Sequence, residues 1–306
     1  MSVNTIKYTG LNSGTQYFNL ARDLAWSNSK NEEITTRDGH VYGYLVNVKI
    51  SGDTKNSIGF SICPNSWKMR NSFRKWHAYR DMMFADAGVT DEEKGRYGKT
   101  IRPYFAPNMI SGTIREPVGY DALYTEWSYT KIAAAPGFDA GATGTEGAAI
   151  VDVYDLTVVG ENQVDVTTTL GTQYYTSVGM IHSYNQDRQE VVTPTADGTT
   201  IEGHNNPLAL LRYKGTSGGE LMTIVEDQEL EKPPYDKRDN GHSINDVLGD
   251  IMQINPGYDG AGSVPVLRQS TMFVPAGLFS LTTTAADSDA NILLEVVGKV
   301  LCKDMA

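Results

Sequence analysis

Two strand-rich halves, each interrupted by one helical segment, constrain this chain more than any single motif. Val41–Ile50 and Ile58–Ile62 read as strands, and Asn65–Ala87 reads as a helix. Val151–Val159 and Val164–Leu170 read as strands again. Further on, Leu208–Tyr213 and Leu221–Val225 precede a second helical segment, Ser243–Gln253, and Ile292–Leu301 is a closing strand. Large β halves with sparse helices and no catalytic set favour a scaffold or assembly protein over a metabolic enzyme.

The first helix has the strongest local signal. Pro64-Asn65-Ser66 supplies a turn and a cap, because a side-chain oxygen there accepts a free first-turn amide. Met69, Phe73, Trp76 and Met83 recur at helical spacing, and Gly88 provides a stop. In the second helix Ser243 and Asp246 approximate a capping box, and Ile244, Val247, Leu248 and Ile251 form its apolar face. Tyr42, Tyr44, Val46 and Val48 share one face of a strand. Val41, Leu45 and Ile50 complicate that alternation and predict burial on both sides. Thr271–Val274 and Leu278–Leu281 flank Pro275-Ala276-Gly277, a turn signal.

Two long segments, Pro136–Ala149 and Lys232–Gly241, read as loops. Loops of that length suit a protein that contacts its neighbours. Each half runs strands, helix, strand, long linker and closing strand, with Ala149–Val159 and Asn291–Leu301 as counterparts. Two structurally similar domains, 1–160 and 161–306, are therefore expected, divided near Gly160–Thr172.

The 306 residues, 40% hydrophobic and 21% charged, are enough for a packed core and argue against global disorder. Thirty Gly and seventeen Tyr fit strands joined by many turns. No run of about 18 apolar residues marks a membrane-spanning helix. Met1–Gly10 lacks the layout of a signal peptide. Cys63 and Cys302 sit in apolar runs and read as buried thiols, compatible with a reducing compartment.

The net charge of −11 argues against a surface that binds nucleic acid throughout. The charge is uneven, however. Residues 64–103 hold nine basic and five acidic side chains, a net of +4 that leaves −15 for the rest of a chain totalling −11. Within that island Lys68, Arg70, Arg74, Lys75 and Arg80 interleave with Trp67, Trp76 and Tyr79. Arg70 and Arg74 are one turn apart and share a side. These five basic residues are candidates for contact with genome phosphate, a lipid headgroup or a neighbouring subunit. A helix packed on its sheet, with its charges solvated or paired, accounts for the same pattern.

Other motifs carry less. Gly215-Thr216-Ser217-Gly218-Gly219 has the spelling of a nucleophile elbow, but strand-like runs on both sides make it a Gly-rich hairpin. A hydrolase using Ser217 ranks last. Gly98-Lys99-Thr100 ends like a phosphate-binding loop, yet Glu93 stands where that motif requires Gly. Asp287, Asp289 and Asn291 alternate like the start of a calcium loop, but Ile292 and Gly298 replace its Gly and Glu. A solvated acidic turn fits better than a weak structural calcium site. His40, His77, His182, His204 and His242 show no zinc spacing. The chain is expected to be no enzyme and to need no cofactor.

On these residues the chain resembles the viral jelly-roll major capsid proteins. Val41–Ile62 followed by Asn65–Ala87, and the paired closing strands Ile150–Val159 and Ile292–Leu301, look like the double jelly roll, two eight-stranded sandwiches side by side with a few loop helices. A single jelly roll with elaborated loops is the alternative. Met1–Gln16 contains one basic residue, Lys7, rather than the basic arm of many capsid proteins that package single-stranded genomes. In that it is similar to the capsid proteins of membrane-containing phages; a small single-stranded DNA phage is the other candidate. The resemblance implies a bacteriophage structural protein that self-assembles as homotrimeric capsomers into an icosahedral shell. Its location would be the virion, assembled in the host cytoplasm. Its partners would be itself, other virion proteins, and an internal membrane or genome met through the basic helix. A carbohydrate-binding or adhesion module is the competing reading, motivated by Tyr120, Tyr124, Trp127 and Tyr129.

Overall fold

Tyr44, Val46, Val48 and Ile50 alternate with Leu45, Asn47, Lys49 and Ser51 along the strand β3 (Tyr42–Gly52), and a strand sends successive side chains to opposite faces. The first set is buried and the second reaches solvent. Burial is therefore one-sided, which corrects the expectation of a strand covered on both faces. Ile50 lies on the same face as Val48, Leu45 is 37% exposed, and the buried Val41 precedes the strand.

In a computed structural model, residues 4–52, 58–90, 92–94, 100–124, 127–133, 153–165, 174–189, 208, 251–254, 266–284 and 286–302 are described. Among them, β3 lies in a four-stranded antiparallel sheet with β1 (Thr5–Leu11), β10 (Val266–Pro275) and β12 (Asp287–Leu301), in the order β1-β12-β3-β10. A second antiparallel sheet joins β2 (Gly14–Asn19), β4 (Ile58–Ile62), β9 (Ile251–Ile254) and β11 (Leu278–Thr283), in the order β2-β11-β4-β9. In chain order β1 to β4 alternate between the two sheets, β9 pairs beside β4 in the second sheet, and β9 to β12 alternate again.

The sheets meet through large apolar side chains. Tyr8 of β1 meets Phe18 of β2 edge-on at 4.9 Å, and Phe18 stacks on Phe279 at 4.7 Å. Ile6, Val46, Val48, Ile50, Ile292 and Leu294 from one sheet and Phe60 and Leu281 from the other belong to the same buried cluster. Each such side chain contributes about 1.5–3 kcal/mol through the apolar surface it removes from water.

Pairing also joins the two ends of the chain. Thr5 is opposite Glu295, Phe18 opposite Phe279, and Val46 opposite both Met272 and Val296. Both sheets take strands from either side of Gly160–Thr172. The expected division into 1–160 and 161–306 is thus not how the strands are distributed, because the strands that pair with β1 and β3 in the first sheet are C-terminal, Thr5 opposite Glu295 and Val46 opposite Met272 and Val296.

Between β4 and β9 lies a further layer. A third sheet, in the order β5-β6-β8-β7, contains β5 (Lys131–Ala133), β6 (Val153–Thr157), β7 (Gln163–Asp165) and β8 (Tyr174–Gly179), with β6 and β8 parallel. Four α-helices and a short 3-10 turn (Ala122–Tyr124) complete the described elements, the helices being α1 (Leu20–Asn28), α2 (Trp67–Asp86), α3 (Pro107–Ser111) and α4 (Met180–Gln189). The protein is mainly β, built from several antiparallel arrays with few helices. No helix among the described residues is long and apolar enough to cross a membrane.

Local chemistry explains the helix ends. Ser66 caps α2 by accepting from the Met69 amide at 3.2 Å, and Gly88 leaves it with φ +72°. Asn19, the last residue of β2, caps α1 by accepting from the Arg22 amide at 3.0 Å. The Pro275-Ala276-Gly277 turn forms, joining β10 to β11, with the Gly277 amide donating to the Val274 carbonyl at 3.3 Å.

Three expectations need correction or placement. Ile251–Gln253, expected at the end of a helix, is strand β9: it pairs with the open edge of β4, Ser61 opposite Ile251 and Gly59 opposite Gln253. The acidic turn expected at Asp287–Asn291 is the start of β12, where Asp287 pairs with Leu11 and Asn291 with Thr9 and Ser51. Residues 134–152, 209–250 and 95–99 lie outside the described residues. With them lie both long loops, the strands expected at 209–213 and 221–225, most of the second helix, Ser217, and Gly98-Lys99.

Candidate functional site

Helix α2 carries all five basic candidates, and its surroundings decide what each can do. A helix turns about 100° per residue, so Lys68 and Lys75 share one face while Arg70 and Arg74 share nearly the opposite one. Arg80 points between the two. The structure does not gather the five onto one surface.

Lys75 is 5% exposed and forms an ion pair with Asp187 of α4, whose side chain is fully buried. It is thereby a structural link rather than a surface contact, which corrects its place among the contact candidates. The Lys75 ammonium also lies 5.8 Å from the Tyr184 ring centroid. Around this pair Trp76 Nε1 donates to the Met180 carbonyl at 3.3 Å and Trp67 meets Tyr184 edge-on at 6.2 Å. Lys68 is half-buried, its ammonium 5.8 Å from the Trp67 ring.

Arg70 and Arg74 are half-buried on the other face. Arg70 reaches back to the Asn65 carbonyl and Oδ1 at 3.4 and 3.5 Å. Close to it, burial pushes the Cys302 thiol up to about 12, opposed by the Arg70 charge. Cys63 is raised by burial in the same way, and both cysteines are buried free thiols as expected. Arg74 packs by its backbone against the Gly39 turn: a Cβ on Gly39 would stand 2.9 Å from the Arg74 Cα. The neighbouring His77 is buried against Thr35, Oγ1 to Nε2 at 3.1 Å, and burial with the Arg80 charge lowers it to about 3.

Arg80 leads to a feature with no local sequence signal. Its guanidinium donates to the Thr100 carbonyl and lies 5.4 Å from the Phe84 ring centroid. There it lines a cavity of about 190 Å³ with Thr100, Arg102, Ser128, Thr130 and Lys131. Tyr129 closes one wall and is held by stacking on Tyr104 at 3.8 Å. Two segments build this cavity by pairing: the Thr130 amide donates to the Arg102 carbonyl, and the Arg102 amide donates to Thr130 Oγ1, both at 2.9 Å. Arg102 was visible only as one charge of the basic island, and Lys131 and Ser128 carried no signal, because only tertiary pairing brings residues 100–102 beside 128–131.

Of the aromatic residues that motivate sugar binding, Tyr120, Trp127 and Tyr129 each have a ring engaged within the protein. Trp127 lies under the Arg102 guanidinium at 4.2 Å, and Tyr120 packs on Trp26 at 5.5 Å and under Arg22. Tyr129 is stacked as described above. Among the described residues no three His, Cys, Asp or Glu side chains cluster in a way that could hold a metal ion. No family model matches this chain, and no curated protein or solved structure is detectably similar to it.

Proposed function

We propose that this chain is a virion structural protein whose eight-stranded sandwich is a jelly roll, and that copies of it assemble into an icosahedral shell. One observation carries the reading: strands β1, β3, β10 and β12 form one sheet in the order β1-β12-β3-β10, and β2, β4, β9 and β11 form the other in the order β2-β11-β4-β9. That strand order is the one two Greek keys produce when they fold together. Jelly rolls of this kind occur in viral capsid, lectin and cupin domains. The order favours one jelly roll, with residues 63–250 inserted between its fourth and fifth strands, over two placed side by side.

Among those classes, the interior favours a building block. Tyr8, Phe18, Val46, Phe60 and Phe279 fill the space between the sheets, so the sandwich itself offers a packed core where a cupin holds its ligand. The engaged faces of Trp127 and Tyr129 weigh against the adhesion reading. On the outer face of the first sheet, Leu45 is 37% exposed, Val297 56% and Val300 52%, and register places Leu45 opposite Gly298 and Gly43 opposite Val300. Apolar residues grouped on an outward sheet face suit burial against another copy. Assembly of this kind buries on the order of 2,000 Å² or more per stable contact. In this reading the subunits form trimeric capsomers, no catalytic residue is needed, and the half-buried Lys68, Arg70 and Arg74 contribute to contact with a neighbour, a membrane or the genome.

Sedimentation velocity of the purified chain, across salt and calcium concentrations, tests the proposal. Trimers or larger closed species are expected. A monomer at every condition and at high protein concentration contradicts it.

A further inference from the structure

We propose that the turn carrying Leu123 in one copy of the chain docks on the outer face of the first sheet of the next copy, between Leu45 and Val297. This contact rests on the assembly reading above and names the two surfaces that meet.

The turn presents an apolar side chain on a rigid support. Leu123 is 87% exposed on the 3-10 turn Ala122–Tyr124, and Val118 just before it is also exposed. The segment leading to it is fixed. The Val118 amide donates to the Lys7 carbonyl of β1 at 2.8 Å, and the Tyr120 amide to the Pro117 carbonyl at 3.0 Å. Tyr120 packs on Trp26 of α1 beneath the Arg22 guanidinium. Asp121 Oδ1 accepts from the Leu123 amide at 2.9 Å. A side chain held in advance loses little freedom on docking.

The face of the sheet offers a hollow. Strand β12 has an extra residue, Val297, between Val296 opposite Val46 and Gly298 opposite Leu45. A Cβ on Gly298 would meet nothing within 4 Å, so the sheet is open above it. The exposed Leu45, Val297 and Val300 border this opening, and the Phe273 ring covers Gly43 beside it. Within one copy Leu123 and Val297 both stay more than half exposed, so they do not cover each other.

Area and charge point to another copy as the occupant. Four strands about 4.8 Å apart, each about ten residues long at about 3.3 Å per residue, make a face on the order of 600 Å². That approaches the roughly 800 Å² that each partner gives to a standard protein interface. Among its described residues the face carries Lys7 and Lys49 against Asp289 and Glu295, two of each sign, and Lys49 pairs with Glu295 at 3.4 Å. Copies with a net charge of −11 repel one another in general, but here they meet across a neutral surface. Turn and hollow are different surfaces, so the contact is head-to-tail, and a three-fold rotation closes it into a trimer.

Cross-linking of the whole chain tests the contact. Leu123→Cys and Val297→Cys chains are mixed and treated with a short bismaleimide; Cys63 and Cys302 are buried and do not compete. A dimer joining the two kinds of chain is expected, with about tenfold less from either variant alone. Dimers of Val297→Cys with itself in its place would mean that two sheets pack face to face, and would overturn the proposal, as would no dimer in the mixture. Leu123→Asp is expected to keep the wild-type unfolding temperature and to weaken self-association about tenfold in sedimentation. Val297→Lys in the partner chain is expected to recover most of that loss. Wild-type assembly that Leu123→Asp leaves unchanged overturns this contact while the assembly reading stands; a wild-type chain that is monomeric throughout removes both.

Discussion

Lys75 of α2 and Asp187 of α4, 112 residues apart in sequence, form a buried ion pair that ties the helix after β4 to the helix after β8. A buried pair is weak evidence for net stability, but removing one partner leaves the other charge uncompensated in a poor solvent for it. Lys75→Met is therefore expected to cost about 3–5 kcal/mol in urea unfolding. Lys75→Met with Asp187→Leu is expected to recover most of that loss. A double variant as unstable as the single one would show that the pair is more than a mutual cancellation of charge.

Two buried groups give opposite acid responses. Asp23 is fully buried, and burial pushes its carboxyl from 3.8 up to about 6, against the Arg22 charge and the hydrogen bonds of Tyr8 and Arg22; Glu116 adds to the rise. The folded state then holds a proton that the unfolded state has released. Its stabilising contribution is complete below about pH 4 and is lost as pH rises through about 6, a swing of roughly 3 kcal/mol. His77 has the reverse sign. Its pKa falls from 6.5 to about 3, so its contribution is complete above pH 6.5 and is lost as pH falls toward 3. Asp23→Asn is expected to make stability fall more steeply between pH 6.5 and 4, and His77→Gln less steeply, by chemical denaturation across that range. Parallel profiles for both variants and wild type would contradict both assignments.

Gly43 in β3 is covered by the ring of Phe273 from β10: a Cβ there would lie 2.0 Å from the ring's Cζ. Gly43→Ala forces the ring aside and is expected to destabilise by about 1–3 kcal/mol. In a Phe273→Ala background the same substitution is expected to cost little. Additive effects in this double-mutant cycle would mean that the clash is not what the glycine avoids.

Arg70→Glu with Arg74→Glu reverses charge on the half-buried face of α2 opposite Lys75. It is expected to lower the yield of assembled species several-fold while leaving the unfolding temperature within a few degrees of wild type. Equal particle yield at normal stability would remove these residues from the proposed contact.

The sequence made some of this architecture legible, and the reasons differ by element. Helix α2 could be bounded because Ser66 and Gly88 mark its ends and Met69, Phe73 and Trp76 mark its inner face, all within one short window. Strands β3, β4, β6 and β12 showed their apolar alternation for the same reason. Helix α1 follows β2 without Gly or Pro between them, and the Asn19 that caps it is also the last strand residue, so no punctuation separated the two. Strand β1 does alternate, Ile6 and Tyr8 inward against Lys7 and Thr9, but its seven residues gained weight only beside β12. Ile251–Ile254 is ambiguous between helix and strand until the edge of β4 is present to pair with it. The halves looked separable because local pattern says nothing about which strands pair. Of the candidate site, the basic charges of α2 were visible, but burial of Lys75 and the meeting of Arg80 with Arg102 and Lys131 depend on contacts far apart in sequence.

A cryo-electron microscopy map of particles formed by the purified chain tests the central claim most directly. The account predicts closed shells of repeated eight-stranded sandwiches, with β1 beside β12 and β2 beside β11 in every subunit. Preparations that contain only dispersed monomers, or particles whose subunits lack that two-sheet order, would contradict it.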